Sequence, residues 1–197
     1  MILPDGYSDV PDGKVAAVDT HLEMTVRLES RSDPPRAWTL RQVEMPPLDW
    51  FRDLYRRVGE EWLWVSRIRM SDAALMAHLH APQLEVYALV DDSRDEGLLE
   101  LNFAEPGQCE IVMFGVTAKL VGSGAGSWLM NRALEIAWSR PIERLWLHTC
   151  TLDHPAALAF YQRTGFRACR RQVEVMDDPR LDGTVPRNVA PHVPVIG

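Results

Sequence analysis

Cysteine is scarce in this 197-residue chain, and basic side chains are outnumbered. The three cysteines, Cys109, Cys150 and Cys169, are odd in number and far apart. That excludes a disulfide framework and zinc-type spacing, and it predicts buried thiols in a reducing, cytoplasmic setting. His78 and His80 stand two apart; on a helix they would point in different directions, which argues against a metal pair. Lysine and arginine total 21 against 28 acidic residues, a formal net charge of −7. A nucleic-acid-binding protein carries a basic face, so that partner is not expected. No apolar run approaches the about 18 residues of a membrane span. The N-terminal MILPDGYSDVPDG lacks the basic and apolar regions of a signal peptide. There is no internal repeat and no low-complexity segment. What is present, 46% hydrophobic and 25% charged residues, reads as one ordinary globular domain with extensions.

Residues 1–20, rich in Pro, Asp and Gly, read as an arm. His21 to Leu28 alternates as an added edge strand would, and Ser30 to Pro35 is a break. The expected division is an N-terminal arm over 1–35, a domain over 36–176 and a proline-containing tail over 177–197. Strand patterns fall at Trp38–Glu44, Glu85–Val90, Gly97–Phe103, Cys109–Val116, Leu145–Cys150 and Phe166–Val175. Helical spacing falls at Leu48–Val58, with Asp49 as its cap, and at Ser71–Leu79, Gly126–Ser139 and His154–Thr164. Gly165 fits a left-handed helix C-cap. Periodicity alone gives a mixed α/β domain.

The densest signal is Val116 to Gly126, VTAKLVGSGAG. Gly122, Gly124 and Gly126 follow an apolar strand pattern and precede the longest helical pattern. Glycine lets backbone approach a ligand closely, and helix-start N–H groups attract anions. Strand, glycine turn and helix in that order make a phosphate cradle. A Walker loop is excluded because Ser127 and Trp128, not Lys-Ser or Lys-Thr, follow the last glycine. A dinucleotide fingerprint is excluded because the third glycine falls one residue early.

The spacing Val121-Gly122-Ser123-Gly124-Ala125-Gly126 resembles the pyrophosphate loop of the GNAT N-acetyltransferase superfamily, with Val121 where Gln or Arg is usual. A second segment, HPAALAFYQRTGF from His154 to Phe166, resembles that family's other signature: Ala157, Tyr161, Gly165 and Phe166 match, and His154 takes the Asn position. The resemblance covers roughly Trp38 to Val175. It implies a mixed, mostly antiparallel sheet of the α/β (α+β) class, flanked by helices and split between its fourth and fifth strands, with acetyl-CoA as co-substrate and no metal.

The resemblance also implies roles. The cradle for acetyl-CoA is Val121, Gly122, Ser123, Gly124, Ala125, Gly126 and Ser127. The strand from Met113 to Val116, with Phe114 and Val116, takes the pantetheine arm, and the Phe114 N–H faces the acetyl oxygen. Tyr161 stands at the general-acid position. Glu110 is the candidate base, with Glu100 on the neighbouring strand as runner-up; a bulge would flip side-chain parity between them. His154 either contacts pantetheine or caps its helix, and His148 reads as structural. Trp62 and Trp64 are expected to line an acceptor pocket, or else to pack under a loop, and the tail after Pro179 to cover part of the mouth. The expected activity is acetyl transfer to a primary amine of a small molecule or protein, by a monomer or homodimer. A non-catalytic acyl-CoA sensor of the same fold and a subunit of a larger complex stay open as alternatives.

Overall fold

The computed structural model describes residues 5–28, 32–36 and 38–197. Residues 1–4 of the expected arm, 29–31 of the expected break, and Ala37 lie outside the described residues. The described chain forms seven strands: β1 (Lys14–Met24), β2 (Thr39–Gln42), β3 (Leu84–Asp91), β4 (Arg94–Asn102), β5 (Gln108–Val116), β6 (Arg144–Cys150) and β7 (Arg167–Asp177). The helices are α1 (Leu48–Gly59), α2 (Asp72–Leu79), α3 (Ala125–Ala137) and α4 (Ala157–Thr164). One sheet holds all seven strands in the order β2-β3-β4-β5-β6-β1-β7. Neighbours are antiparallel except β5 and β6. From β2 onward this is the predicted mixed, mostly antiparallel class. The opening lies between β5 and β6, the fourth and fifth strands of the predicted series.

Alternation decides which side chains each face buries. Tyr87 and Leu89 of β3, with Leu99 and Leu101 of β4, pack with Trp128, Leu129 and Ala133 of α3. Val86, Ala88 and Leu98 point the other way, onto Phe51, Leu54 and Tyr55 of α1 and Leu75 of α2. Full burial of each leucine, valine or phenylalanine among them is worth about 1.5–3 kcal/mol. Ser71 caps α2, its hydroxyl accepting from Ala74 N–H at 3.3 Å. Asp49 does not cap α1: Pro47 holds that position, and Asp49 lies in the first turn, where its charge suits the helix dipole. Gly165 ends α4 at φ 113°, as its position predicts.

β1 departs from expectation. The segment read as an arm followed by an edge strand is an interior strand that begins at Lys14. It pairs with β6 through Asp19–Met24 and with β7 along most of its length. β6 and β7 run parallel to each other, joined by α4 with a one-strand gap, and β1 fills the gap antiparallel to both, a split βαβ arrangement.

The tail is also built in. Val185 and Ala190 are buried with Val15 and Ala17 of β1 and with Leu63 and Val65. Arg180 is 4% exposed. It pairs with Asp178 at 2.7 Å and donates to the carbonyls of Ala190 and Val193. The tail has no periodicity because its core is laid down by irregular backbone around this buried guanidinium.

Candidate active site

The site begins where β5 and β6 part. Their parallel pairing ends at Glu110 opposite Trp146. On the other side of β5, Glu100 pairs with Met113 and Leu101 with Ile111, which leaves Val112 as an extra residue. Such a bulge bends its strand, and here it coincides with the point of divergence. It also switches parity. Cys109 and Ile111 before it, and Phe114 and Val116 after it, all reach the α3 core. Past the divergence, β5 and β6 flank a cleft of about 730 Å³.

The glycine turn forms one wall. Gly122 and Gly124 have φ of +79° and +93°, a region strained for residues with a Cβ. A Cβ at Gly122 or Gly126 would meet nothing within 4 Å, whereas one at Gly124 would fall 3.0 Å from Pro34. Trp128 N–H bonds Gly124 C=O at the start of α3. The N–H groups of the turn before it have no helical carbonyl to meet. Val121, Gly122, Gly124, Gly126 and Ser127 line the cleft. Ser123, which is exposed, and Ala125 do not line it, against expectation. The Ser123 hydroxyl donates to Leu120 C=O at 2.7 Å and accepts from Ala125 N–H at 3.3 Å, and Ala125 is wholly buried. The base of the turn is anchored to β3 and β4. Thr117 Oγ1 donates to Glu96 at 2.7 Å, and Lys119 Nζ stands 3.0 Å from Asp91. Lys119, with Arg36, holds the Asp91 carboxyl below the usual carboxylate range.

The second wall is α4 and the turn before it. Tyr161 lines the cleft and is nearly buried, edge-on to Phe114 at 6.0 Å and to Phe160 at 5.4 Å. Burial, aided by the Asp153 charge, raises its phenol pKa well above the ordinary value near 10, so the proton is retained. His154 Nδ1 accepts from Ala156 N–H at 3.0 Å, which sets the turn into α4.

The connection between α1 and α2 forms the third wall. Trp62 and Trp64 both line the cleft. The Trp62 ring stands 5.1 Å from His154. Trp64 lies in a bed made by two glycines: a Cβ at Gly59 would come within 2.3 Å of its ring, and one at Gly115 within 3.3 Å. The tail does not share this wall. No residue after Met176 lines the cleft, so the expectation that the tail covers the mouth is corrected. Its apolar side chains support Leu63 and Val65 from behind.

The two candidate carboxylates have different surroundings. Glu110 sits at the closed end of the split, on the strand face opposite Cys109 and Ile111, and is not among the side chains that line the cleft. Burial raises its carboxyl pKa above the ordinary range, against the pull of His148 and Arg67. Glu100 is 0% exposed, with Arg67 at 3.2 Å and His78 at 3.1 Å. His148, read as structural, instead lines the cleft, its ring 5.6 Å from His21. Asp19, Asp153 and Glu174 also line it, unforeseen from sequence. Asp19 was missed with β1. Asp153 stands directly before the His154 motif, so that neighbourhood was the available signal. No group of three or more His, Cys, Asp or Glu among the described residues is placed to hold a metal ion. No helix among them is long and apolar enough to cross a membrane.

Residues 47–166 match the acetyltransferase (GNAT) family model. That span is more than half of the chain and contains the glycine turn, the bulged strand β5 and Tyr161. The chain belongs to the GNAT acetyltransferase family. It is 30% identical over 115 residues to the uncharacterized protein YxbD of Bacillus subtilis; the match covers 58% of this chain and 65% of that protein, just under two thirds of the relative. Among solved structures, a putative acetyltransferase of the GNAT family from Novosphingobium aromaticivorans superposes with a TM-score of 0.59 at 16% identity, over 86% of this chain and 69% of that one. A tandem GNAT protein from the clavulanic acid biosynthesis pathway gives 0.58 at 17% identity, over 86% and 54%. At these identities the likeness is one of fold. Use of acetyl-CoA is general to this family of acetyltransferases.

Proposed function

We propose that this protein is an acetyl-CoA-dependent N-acetyltransferase that moves an acetyl group to a primary amine of a small molecule or a protein by direct attack. One observation carries the reading. Tyr161 of α4, which lies beyond α3 and β6 in the chain, lines the same cleft as the β5 segment from Met113 to Val116 and the glycine turn that directly follows it.

Acetyl-CoA would supply the acetyl group as an activated thioester. The open backbone at Gly122 and Gly126 and the first-turn N–H groups of α3 suit its pyrophosphate. The edge of β5 beyond Glu110 suits a peptide-like arm added as an extra strand. The Phe114 N–H is the donor assigned to the acetyl oxygen. An acceptor amine with a pKa near 10.4 arrives protonated at neutral pH. Glu110, at the closed end of the split and outside the cleft lining, takes that proton through a water relay, and its raised pKa makes it a stronger base than an ordinary carboxylate. Tyr161 keeps its proton until charge develops on the leaving sulfur, then donates it. Asp19 in the cleft lining, with the Trp62 ring, favours a cationic acceptor.

The test is Gly126→Val. The new side chain enters open space at a helical position, so the fold is kept. Acetyl-CoA binding by calorimetry should weaken at least about tenfold, about 1.4 kcal/mol. Unchanged affinity in a folded variant would remove the turn from the site. Wild-type protein that binds acetyl-CoA but releases no CoA across a broad amine panel would be a binding module instead.

A further inference from the structure

β7 ends the sheet, and among the described residues its outer edge has no partner strand. All of its residues except Met176 are exposed. A long open edge is a template for another strand. The order of charges along it says which strand fits. Arg167, Arg170 and Arg171 occupy its first half, and Glu174 and Asp177 its second. An antiparallel copy of the same strand reverses that order, so basic residues meet acidic ones.

The register can be made specific. Arg170 pairs with His21 and Ala168 with Leu22, which leaves Cys169 as a bulge, so the strand is regular from Arg170 onward. A two-fold axis at Gln172 sets Arg170 opposite Glu174 of the partner subunit, twice over. On the other face Val173 and Val175 are 48% and 51% exposed, and Val18, the β1 neighbour of Val173, is 38% exposed. Across the axis Val173 lies diagonal to its own copy, within reach of side-chain contact.

We infer that two copies of this chain associate through β7, antiparallel and centred on Gln172, joining two sheets into one. Because Glu174 lines the cleft, Arg170 of the partner subunit then stands at the cleft rim, and each site borrows a cation from the other copy. This inference does not depend on the proposed reaction.

Sedimentation of the full chain over about 1–100 μM tests it. The expected species has twice the 22.4 kDa chain mass. Arg170→Glu and Glu174→Arg should each weaken association about tenfold or more, since like charges face each other in both symmetric pairs. The double variant should restore it. Within one chain these residues are roughly 13 Å apart along the strand, so the restoration is intermolecular. Independently, Gln172→Cys in a Cys169→Ser background should cross-link to its own copy under mild oxidation, because opposed strand residues lie within disulfide reach. A wild-type monomer across the range, a dimer indifferent to both reversals, no restoration in the folded double variant, or no cross-link would each overturn the inference.

Discussion

Trp64 Nε1 donates to Asp153 Oδ1 at 2.9 Å, joining the α1–α2 connection to the β6–α4 connection. Asp153 is shared. Its other oxygen accepts from Thr149 Oγ1 at 2.7 Å and from Cys150 N–H at 2.9 Å. One carboxylate thus holds the wall that carries Trp62 and Trp64 against the turn that leads to Tyr161.

Removing the two ends of this link should have unequal effects. Trp64→Phe keeps a ring on the Gly59–Gly115 bed and loses one hydrogen bond, about 1 kcal/mol. Asp153→Ala leaves three donors unpaired and should cost about 2–3 kcal/mol. Urea unfolding measures both. Trp62→Ala, which breaks no hydrogen bond of the link, should raise the acceptor KM with acetyl-CoA affinity nearly unchanged. If Asp153→Ala proves milder than Trp64→Phe, Asp153 is not the anchor.

Truncation after Pro179 should unfold the protein rather than merely change its selectivity. It strips Val185 and Ala190 from Val15, Ala17, Leu63 and Val65, and it removes the partner of buried Asp178. Arg180→Ala alone should cost about 3–5 kcal/mol, the usual penalty for orphaning a buried charge. The pH dependence has a definite sign. Arg180 holds the Asp178 carboxyl below its ordinary value, so this stabilisation is complete above the usual carboxylate pKa near 3.9 and fades as pH falls below it. Thermal melts at several pH values should show wild type losing its advantage over Arg180→Ala on acidification.

Glu110 and Glu100 can be told apart by stability as well as by rate. The raised pKa of Glu110 means its ionised form is disfavoured by the fold at neutral pH. Glu110→Gln should therefore leave stability equal or slightly higher, while turnover falls most near neutrality and least at alkaline pH, where the amine is already neutral. Glu100→Gln should instead lower stability, because Arg67 and His78 lose their buried partner. Full turnover by Glu110→Gln at pH 7 would remove Glu110 as the base.

For Tyr161→Phe the expected loss is in kcat, about 10²- to 10⁴-fold, with KM for acetyl-CoA little changed. The ring still packs on Phe114, Phe160 and Phe166, so melting should shift little. A kcat within twofold of wild type would exclude proton donation by Tyr161.

Local features were legible where local chemistry settles them. Ser71 as a cap, Gly165 as a left-handed stop, the alternation of β3 and β4 and the glycine turn before α3 each depend on neighbours a few residues away. The bulge at Val112 was not legible, because a strand and its bulged form share one sequence pattern and differ only in what the partner strand opposes. Nor was the burial of Glu100, which arises when Arg67 and His78 converge on it from the α1–α2 connection and α2.

By itself the sequence determined the element series from Trp38 to Val175, the family resemblance and the motif positions from Val121 to Ser127 and from His154 to Phe166, since backbone propensity and side-chain spacing act within short windows. The tertiary structure decided where the two ends of the chain go. Lys14–Met24 alternates weakly, with small alanines and polar residues, and becomes an interior strand because β6 and β7, more than a hundred residues later, leave it a gap of one strand's width. The tail after Pro179 has no period at all, and it is held because Arg180 finds Asp178 and three carbonyls while Val185 and Ala190 find the apolar face of β1. Both outcomes rest on contacts between residues distant in the chain, whose energies appear only once the sheet has assembled.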